Sequence, residues 1–578
     1  MNILGIHIGH NASAFLLQDG AVIAGLSQEK CDDIKNSADF PADAIRAILN
    51  QAQLSTDGID HVAIAGNQIL PRRSYDYLFQ NKPTDGHTRS GAVGLALKLE
   101  AIMPTALASI IFGPLRAHRH KQRLTQGRKE LSQNLSDLGL GQTPCTYVDH
   151  HICHARAAYC SLGGTKPALI FTADGSGDGI SATVIKVDDQ GHWTRLGETP
   201  EHASIGGIYS ATTRFLGMRP LEHEYKVMGL APYAKSYADD IYERAFAKTI
   251  QVSPNNPYCF ESTVDSRKFY DHLAKTAVGE RFDNIAAAAQ RLIEEQTVQW
   301  VERSVAESGV HHAYFGGGLF MNVKLNKRIQ ELDCLNSAHF MPSCGDESNA
   351  LGAAYDVALE MGPVQPLKNL YVGLSYSPEE IEGHLKEYGL NYTRPDNLNE
   401  TIADLLADGQ VVARFADGNE WGARSLGNRA ILAHPGRMES FFTVNDQIKC
   451  RDFWMPFAPS VLDTAADKYL ENWTMERTPA PFMITAFQST ELGRKELTAA
   501  LHRGDGTLRP QVLTPEANAD YYDLIQRFEA KTGIGAVLNT SLNRHGKPLA
   551  ATPVQALDTL VNSGLRHLAI GPFLVSKD

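Results

Sequence analysis

Cysteine is sparse in this chain, and no two cysteines have the spacing of a structural zinc site. The eight cysteines among 578 residues are scattered, and none forms a Cys-x-x-Cys pair. Structural zinc sites depend on such close pairs. Scattered cysteines are typical of reduced thiols in a cytosolic protein, so we expect no structural zinc.

Long hydrophobic runs are also missing. The longest apolar stretch, Met103 to Leu115, is too short to span a bilayer and contains Gly113 and Pro114. The first residues have no basic start of the kind that opens a signal peptide. The sequence therefore predicts a cytoplasmic protein without membrane segments, and a buried helix for residues 103–115.

Positive charge is in deficit. The 54 Lys and Arg residues face 66 Asp and Glu residues, which gives a formal net charge of −12. This balance argues against nucleic acid as a partner. A local basic stretch, residues 116–123, lies inside a polar segment at residues 70–142. We interpret that segment as a solvated helical insertion rather than a nucleic-acid-binding arm, because the remainder of the chain is acidic.

The length and the apolar pattern predict an α/β protein with more than one domain. A chain of 578 residues is too long for one ordinary core. Two strand–turn–strand units separated by helices predict a duplicated nucleotide-binding fold, with apolar strands at residues 2–7, 12–17, 21–26, 168–173 and 181–187. We predict an N-terminal domain over residues 1–360, a linker over 361–375 and a second α/β domain over 376–578.

The most informative motif is a pair of histidines, His150 and His154, in an alanine-rich segment that favours helix. Residues at positions i and i+4 share one helix face, so both imidazoles can reach one metal ion. Two histidines make half of a nitrogen and oxygen ligand set, and carboxylates must supply the rest. An acidic glycine loop that begins at Asp174 follows them. The alternative is a helix face without a metal.

A second candidate site is the glycine run Gly316-Gly317-Gly318, which follows an apolar segment. Glycines at a strand-to-helix turn let backbone N–H groups approach a phosphate or a nucleoside. A tight packing turn explains the same residues equally well, and both alternatives stay open on this motif alone.

The C-terminal part contains a cationic cluster. Arg424 and Arg429 lie among glycines and apolar residues, and Lys449 follows them. Arginine is seldom buried without an anion, and its planar fork matches a phosphate. Arg509 and the polar turn 539–543 would complete an anion pocket. The alternative is a set of surface ion pairs.

Read together, these motifs resemble the NodU/CmcH family of O-carbamoyltransferases, which includes enzymes of aminoglycoside, cephalosporin, ansamycin and Nod-factor tailoring. The resemblance covers the whole chain with its motifs in order. It is carried by His150-His151-x-Cys153-His154-Ala155, Asp174-Gly175-x-Gly177-Asp178, Glu224-Tyr225-Lys226-Val227-Met228-Gly229-Leu230-Ala231, Gly316-Gly317, Gly345-Asp346, Gly422-Ala423-Arg424-Ser425-Leu426-Gly427-Asn428-Arg429, Ile448-Lys449-x-Arg451 and Asn539-Thr540-Ser541-Leu542-Asn543.

The resemblance implies an N-terminal domain of the ASKHA type, the fold of actin and the sugar kinases, and a YrdC-like C-terminal domain. It also implies a reaction. Carbamoyl phosphate and ATP, accompanied by Mg²⁺, would give carbamoyl-adenylate, and the carbamoyl group would then pass to a hydroxyl of a small-molecule acceptor, such as a natural product in antibiotic biosynthesis.

The same resemblance implies roles for single residues. A metal, Fe²⁺ or another divalent first-row ion, would be bound by His150, His154, Asp174 and Asp346. His10 would lie near the transferred carbamoyl group, and Lys35 would reach the phosphates. Carbamoyl phosphate and the ATP phosphates would be held by Arg424, Arg429, Lys449, Arg509, Asn539 and Ser541, and the adenosine would be bordered by Gly316, Gly317 and Asn322. Among these, we expect catalytic roles for His10, Lys35, Arg424 and Lys449.

The chain departs from the family pattern in places. Asn11 stands where the family usually has Asp, and the basic stretch that ends at Lys35 is diluted. Two rival functions also suit a duplicated nucleotide-binding fold: a sugar-kinase-like ATP phosphotransferase and a non-catalytic nucleotide sensor. The acceptor is not readable from the residues, and a homodimer is an open alternative for the oligomeric state.

Overall fold

The computed structural model describes residues 1–79, 105–235 and 238–577. The first sheet has the strand order β3-β2-β1-β4-β5, in which β1 runs antiparallel to β2 and parallel to β4. Its strands are β1 (Asn2–His7), β2 (Ser13–Gln18), β3 (Ala21–Ser27), β4 (His61–Ala65) and β5 (Cys145–Val148). The helices of this part are α1 (Glu29–Asp32), α2 (Ala42–Gln51) and α3 (Thr105–Asp137).

The second sheet repeats that topology. Its order is β12-β11-β6-β7-β8, again a three-stranded meander extended by two parallel strands. Its strands are β6 (Ala168–Gly177), β7 (Ile180–Val187), β8 (Trp193–Pro200), β11 (His312–Gly316) and β12 (Ser337–Phe340), while β9 (Ile250–Val252) and β10 (Phe260–Ser262) form a separate pair. The predicted duplication is confirmed.

Eight further helices, among the described residues, follow β5 in the N-terminal part of the chain. They are α4 (His150–Ser161), α5 (Ile205–Phe215), α6 (Glu224–Leu230), α7 (Ala238–Ala245), α8 (Phe269–Thr276), α9 (Phe282–Ser308), α10 (Val323–Gln330) and α11 (Asn349–Met361). Both α4 and α5 pack against β6, whose residues 168–173 are all buried. A strand covered on both faces reads as a continuous apolar run, which is why the sequence identified it.

The C-terminal part is built on a mixed sheet of eight strands in the order β13-β22-β21-β14-β15-β20-β16-β19. The strands are β13 (Tyr392–Thr393), β14 (Val412–Phe415), β15 (Arg429–Ala433), β16 (Ala458–Leu462), β19 (Gln511–Leu513), β20 (Ala536–Ser541), β21 (His567–Ile570) and β22 (Phe573–Ser576), with β17 (Phe487–Gln488) and β18 (Thr507–Leu508) paired separately. The helices are α12 (Pro378–Glu387), α13 (Leu398–Ala407), α14 (Met438–Val444), α15 (Ala466–Tyr469), α16 (Glu491–Glu496), α17 (Ala519–Thr532) and α18 (Pro553–Val561). The predicted α/β class is confirmed in both parts.

Two predictions need correction or restriction. Strand β6 continues past Ala173, where we predicted its end, to Gly177, because Gly177 still pairs with Ile180 of β7. The acidic glycine segment is therefore part of the β6–β7 hairpin. Helix α3 occupies most of the predicted helical insertion, whose residues 80–104 lie outside the described residues. The helix expected at residues 103–115 is therefore described only from Thr105 onwards. In the part of the chain that the structure describes, no helix has the length and apolarity needed to cross a membrane.

The predicted linker is an extended segment. Between the end of α11 at Met361 and the start of α12 at Pro378, the chain forms neither helix nor strand. The two parts nevertheless touch closely. Trp421 packs edge-on against Phe15 at 4.3 Å between ring centroids and donates a hydrogen bond to Ser348 Oγ at 2.9 Å. The domain limits themselves stay a prediction.

Helix α11 is held unusually close to β1 and α4. A Cβ atom at Gly5 of β1 would overlap the backbone carbonyl of Ala350, and one at Gly352 would overlap the carbonyl of Cys153 in α4. Only glycine permits these approaches. Because α4 carries the histidine pair and α11 begins just after Asp346, this packing determines how near the predicted metal ligands lie.

We expect Gly352→Ala to lower the free energy of unfolding by about 1–3 kcal/mol or more, since overpacked sites lose stability in that range. The matched control is Gly383→Ala in α12, where an added Cβ meets nothing within 4 Å and the better helix former is tolerated. Urea unfolding followed by circular dichroism makes the comparison. Equal midpoints for the two variants would contradict the steric argument.

Candidate active site

Helix α4 directs the two predicted histidines to one point. The side chain of its N-cap residue, Asp149, accepts a hydrogen bond from the Ile152 N–H at 3.0 Å, so the helix begins directly at His150. One turn later comes His154, and the Nε2 atoms of the two rings are 3.1 Å apart. The imidazoles converge as the spacing predicted.

Two carboxylates complete this group. Asp174 on β6 places Oδ2 3.0 Å from Nε2 of His154. Asp346, in the turn before α11, places Oδ1 3.5 Å from Nε2 of His150 and 3.4 Å from Nε2 of His154. One ligand atom from each of the four residues lies within 4.8 Å of the others. All four predicted metal ligands are therefore together.

The electrostatics of this group favour a cation. Burial acts against protonation of His154, but hydrogen bonds with Asp174 and Asp346 outweigh it and raise its pKa to about 9. Burial acts to raise the pKa of Asp174, but the imidazoles of His150 and His154, whose Nε2 atoms lie 3.9 and 3.0 Å from its Oδ2, hold that pKa well below its usual range. Two imidazole nitrogens 3.1 Å apart can share only one proton. A divalent first-row ion between them would satisfy both, so the donor set fits such a metal.

The neighbouring His151 has a different role. Its Nδ1 lies 2.7 Å from Thr172 Oγ1 and its Nε2 lies 3.1 Å from the Ile180 carbonyl oxygen. Burial lowers its pKa to about 3. Both ring nitrogens are used within the fold, so His151 fastens α4 to the β6–β7 hairpin and is not available as a ligand.

Three buried polar residues beside the metal group were missed by the sequence analysis. His7, at the end of β1, lies 4.0 Å from Asp346 Oδ2, and burial lowers its pKa to about 4. Its Nε2 donates to the His10 carbonyl at 3.1 Å. Asn349 approaches His154 Nε2 at 3.3 Å. Glu347 accepts a hydrogen bond from Asn11 at 3.4 Å. Position in the sequence, next to His10 and Asp346, was the signal that could have found them.

The predicted catalytic residues His10 and Lys35 line one small pocket with residues 219–222. Lys35 Nζ lies 3.5 Å from Glu222 Oε1 and 5.7 Å from the ring centre of Tyr225. Asn11, which replaces the usual family Asp, adopts a positive φ of 62°, a conformation that Asn and Asp tolerate best. An amide at this position also avoids a second carboxylate beside Glu347.

The glycine run adjoins the metal group. A Cβ at Gly317 would overlap the Ala173 carbonyl, and Gly318 N–H donates to Asp174 Oδ2 at 3.4 Å. Asn322 is the N-cap of α10 and accepts from the Leu325 N–H at 3.0 Å, while its amide is paired with Gln290. These contacts favour the packing turn, and they place Gly318 in direct contact with Asp174 of the metal group.

The predicted cationic residues separate into two kinds. In the described part of the chain, Arg424, Arg451 and Arg509 have no carboxylate within ion-pair distance, and Arg424 Nε is buried without a partner. The three arginines are close enough for Arg451 to act electrostatically on the other two. Burial and the neighbouring arginine charge lower the pKa of Arg424 to about 10 and that of Arg509 well below its usual range. Unpaired cations gathered in this way form an anion site. We call Arg424, Arg451 and Arg509 the arginine cluster.

Arg429, in contrast, is bound within the fold. Its guanidinium stacks on Phe415 at 3.7 Å and donates to the carbonyls of Leu374, Ala416, Asp417 and Asn428. Four of its five N–H groups are thereby used. This geometry favours a structural role over the phosphate-binding role that we expected for Arg429, and sequence could not tell it from Arg424.

Lys449 lies next to the arginine cluster and is almost fully buried. It donates to Ser541 and Asn543 through their side chains and backbone carbonyls, at 3.0 Å for the Asn543 carbonyl. Burial, Arg451 and Lys35 lower its pKa, yet every contact is an oxygen acceptor, as an ammonium group requires. Asn539 donates to Ser425 O at 3.2 Å and to Ser460 Oγ at 3.0 Å, which fixes the backbone beside Arg424.

The two sites meet at the segment 343–348, which carries Asp346. A Cβ at Gly422 would overlap Ser343 Oγ, so the chain that leads to Arg424 lies directly on this segment. The charges of Asp174 and Arg424 both act on the pKa of Cys344, which Asp174 raises and Arg424 lowers. The resemblance implied metal ligands in the N-terminal half of the chain and phosphate-binding residues in the C-terminal half. The structure places the arginine cluster beside the metal group.

Two family models match the chain. The one described as Carbamoyltransferase N-terminus matches residues 2–355, and the one described as Carbamoyltransferase C-terminus matches residues 403–577. The chain belongs to the carbamoyltransferase family. These matches confirm the resemblance and the expectation that the protein is an enzyme. The metal group falls within the first match, and the arginine cluster falls within the second.

Its relatives include nodulation proteins. Nodulation protein NolNO of Sinorhizobium fredii is 27% identical over 98% of this chain and 79% of its own length. Nodulation protein NolO of Bradyrhizobium diazoefficiens is 30% identical over 74% of this chain and 79% of its own length. Among solved structures, the match to full-length HypF in the phosphate- and nucleotide-bound form covers 63% of this chain and 56% of that one, at 12% identity and a TM-score of 0.34.

Removing one carboxylate should weaken metal binding by this carbamoyltransferase. We expect Asp346→Asn and Asp174→Asn to lower the affinity for Co²⁺ by at least about tenfold, since even indirect partners of metal ligands contribute that much. Asp189→Asn, at an exposed turn, is the matched control. Titration followed by visible absorption measures the effect. Unchanged affinity in both variants would show that the four residues do not hold a metal.

Arg429→Lys should act on stability. We expect a loss of at least about 2 kcal/mol in the free energy of unfolding, because buried carbonyl acceptors lose their donors. The exposed Arg267, paired with Asp265 and Glu201, provides the control Arg267→Lys. Urea unfolding measures both variants. A fully stable Arg429→Lys protein with weakened phosphate binding would restore the original expectation.

Proposed function

We propose that the protein is an ATP-dependent O-carbamoyltransferase that makes carbamoyl-adenylate from carbamoyl phosphate and ATP and transfers the carbamoyl group to a hydroxyl of a small-molecule acceptor. The observation that carries this proposal is the arginine cluster beside the metal group. Family membership supports carbamoyl transfer. The unpaired arginines add a reason for phosphorylated co-substrates.

The arginine cluster suits the activation half of the reaction. Carbamoyl phosphate is cleaved by water to carbamate and phosphate, a carbamate oxygen attacks the α-phosphorus of ATP, and pyrophosphate leaves. Negative charge develops on the leaving group, and preorganised cations lower the barrier where that charge appears. Arg424 and Arg509 have free donors for this purpose. Lys449 holds the Ser541–Asn543 turn in place beside them.

The transfer half would take place near His10. The acceptor oxygen attacks the carbamoyl carbon, AMP leaves, and the hydroxyl proton passes to a base, for which His10 is the candidate. General-base assistance of this kind typically contributes about 10²–10⁴-fold. His10 lines the same pocket as Lys35, whose charge would offset that of the departing AMP phosphate.

His150, His154, Asp174 and Asp346 would hold a divalent metal, and we propose Fe²⁺. A metal bound there supplies Lewis-acid charge for a phosphate or carbamoyl oxygen. The chain's own contribution is to fix the ligands: Asn349 lies against both histidines, and His7 lies between Asp346 and the His10 backbone. A sugar-kinase-like activity suits the duplicated fold but leaves the arginine cluster without a role.

The decisive measurement is carbamoyl-phosphate-dependent exchange of labelled pyrophosphate into ATP. We expect exchange in the intact protein, and a loss of about 10²–10³-fold in Arg424→Ala and Arg509→Ala, the usual effect of removing a group that stabilises developing charge. Arg267→Ala is the control and should exchange normally. A kinase would instead release ADP without carbamoyl phosphate, and a nucleotide sensor would do neither.

Asp346→Asn separates the two halves of the reaction. We expect it to retain pyrophosphate exchange while losing carbamoyl transfer from preformed carbamoyl-adenylate, because Asp346 belongs to the metal group and not to the arginine cluster. Arg424→Ala should show the opposite pattern. Equal loss of both activities in both variants would refute the division between the two sites.

A further inference from the structure

Asp178, at the tip of the β6–β7 hairpin, is an acidic residue of the glycine segment that is not among the predicted metal ligands. The tip is a two-residue turn, Asp178-Gly179, between the paired residues Gly177 and Ile180. Both turn residues have a positive φ, 53° at Asp178 and 88° at Gly179. Type I′ hairpin turns require this conformation, and Asp-Gly is one of their favoured sequences. The turn therefore determines where the Asp178 carboxylate lies.

The Asp178 carboxylate accepts hydrogen bonds from the backbone of two other segments. Asn67 N–H, just after β4, lies 3.0 Å from Oδ1 and 2.8 Å from Oδ2, and Gln68 N–H donates to Oδ1 at 2.8 Å. On the other side, the His150 N–H donates to Oδ2 at 3.0 Å. One side chain thus joins the β6–β7 hairpin, the segment after β4 and the first residue of α4.

The same hairpin also contacts the imidazole of His150. A Cβ atom at Gly177 would overlap the His150 ring, so the ring lies directly against the backbone of β6. Only glycine permits this approach. The hairpin therefore determines the backbone position of His150 through Asp178 and the position of its ring through Gly177.

A carboxylate suits the position of Asp178 better than any neutral side chain. An ionised carboxylate has acceptors only, and the N–H groups at the start of a helix carry partial positive charge. An amide of the same shape would turn its NH₂ group toward N–H donors on one side. The hairpin itself needs none of these bonds, because Asn-Gly and Gly-Gly close the same type of turn. The carboxylate therefore serves the contacts with α4 and with the segment after β4.

We propose that Asp178 is a positioning residue for the metal, because its carboxylate holds the ligand His150 where the imidazole meets the other three ligands. This inference rests on the proposed metal site and extends it to a residue that does not touch the ion. It also connects that site to the predicted insertion, since Arg128 of α3 donates to the Asn67 carbonyl at 3.4 Å.

The first test measures Co²⁺ binding by full-length Asp178→Asn and Asp178→Gly, titrated by visible absorption. Both replacements fit a type I′ turn, so the hairpin is retained. We expect the affinity to fall about tenfold or more, as when an outer partner of a metal ligand is removed, and the d–d bands to shift because His150 moves. Unchanged affinity and bands in both variants would overturn the proposal.

Asp188→Asn is the matched control for this titration. Asp188 lies at the β7–β8 turn, where its carboxylate also accepts backbone N–H groups, from Gln190 at 2.9 Å and His192 at 2.8 Å. It has no hydrogen bond to α4 among the described residues. We expect normal Co²⁺ affinity in this variant. A loss equal to that of Asp178→Asn would show a general effect of weakened hairpin turns and would contradict the specific role of Asp178.

The second test shows whether Asp178 acts through His150. Asp178→Asn is combined with His150→Ala and, separately, with His154→Ala, and the Co²⁺ affinities form double-mutant cycles. We expect the loss of about tenfold to persist beside His154→Ala and to disappear beside His150→Ala, since a ligand that has been removed cannot be misplaced. Equal losses in the two backgrounds would assign Asp178 a general structural role and overturn the proposal.

The third test needs no metal. Hydrogen exchange of the metal-free full-length protein, followed by mass spectrometry, reports the N–H groups that Asp178 holds. We expect Asp178→Asn to speed exchange about tenfold both at residues 67–68 and at the start of α4, the effect of losing a hydrogen bond to a charged group. Asp188→Asn should act only at residues 188–193. Faster exchange at residues 67–68 with α4 unchanged would refute the coupling to His150.

The Co²⁺ titration of the unaltered protein separates the two proposals. An unaltered protein that binds no Co²⁺ would defeat the proposed metal site and this inference with it. Normal Co²⁺ binding by the unaltered protein, by Asp178→Asn and by Asp178→Gly would defeat this inference alone and leave the metal site in place.

Discussion

The close contact of helix α11 with β1 and α4 is the constraint on which the candidate active site depends. Glycine at positions 5 and 352 lets backbone meet backbone there, and no larger side chain has room. The result is that ligands from three separate segments, the start of α4, strand β6 and the turn before α11, come within reach of one ion. The close packing at Gly5 and Gly352 thus determines how near the four predicted metal ligands lie to one another.

The segment 343–348 has the second organising role, because it separates charges of opposite sign. On one side are the carboxylates of the metal group, and on the other is the arginine cluster, which faces Cys344 and Glu347. Charges interact more strongly in a buried site than in water, so Cys344 in this segment lies in the field of both Asp174 and Arg424.

Sequence predicted the parts of this arrangement that depend on local periodicity. The strands of the duplicated fold and the convergence of His150 and His154 follow from spacing along the chain. Asp346 came only through the resemblance, because nothing local shows that residues almost 200 positions apart meet. Arg424 and Arg429 look alike in sequence, and the Nε of each is buried without a partner. Only Arg429 uses its terminal N–H groups, which donate to four backbone carbonyls. His7 and Asn349 gave no periodic signal, since their roles arise from tertiary contact with the metal group.

Trp421 has a consequence for how this architecture could be recombined. It belongs to the C-terminal part, yet its indole is bonded to Ser348, two residues from Asp346, and rests on Phe15 of the first sheet. The metal turn is therefore braced by a side chain from the other half of the molecule. A chimera that exchanges C-terminal halves between related carbamoyltransferases must therefore keep Trp421 together with its partners Ser348 and Phe15. Without this contact, the N-terminal half would have its metal ligands but would lack the side chain that supports their turn.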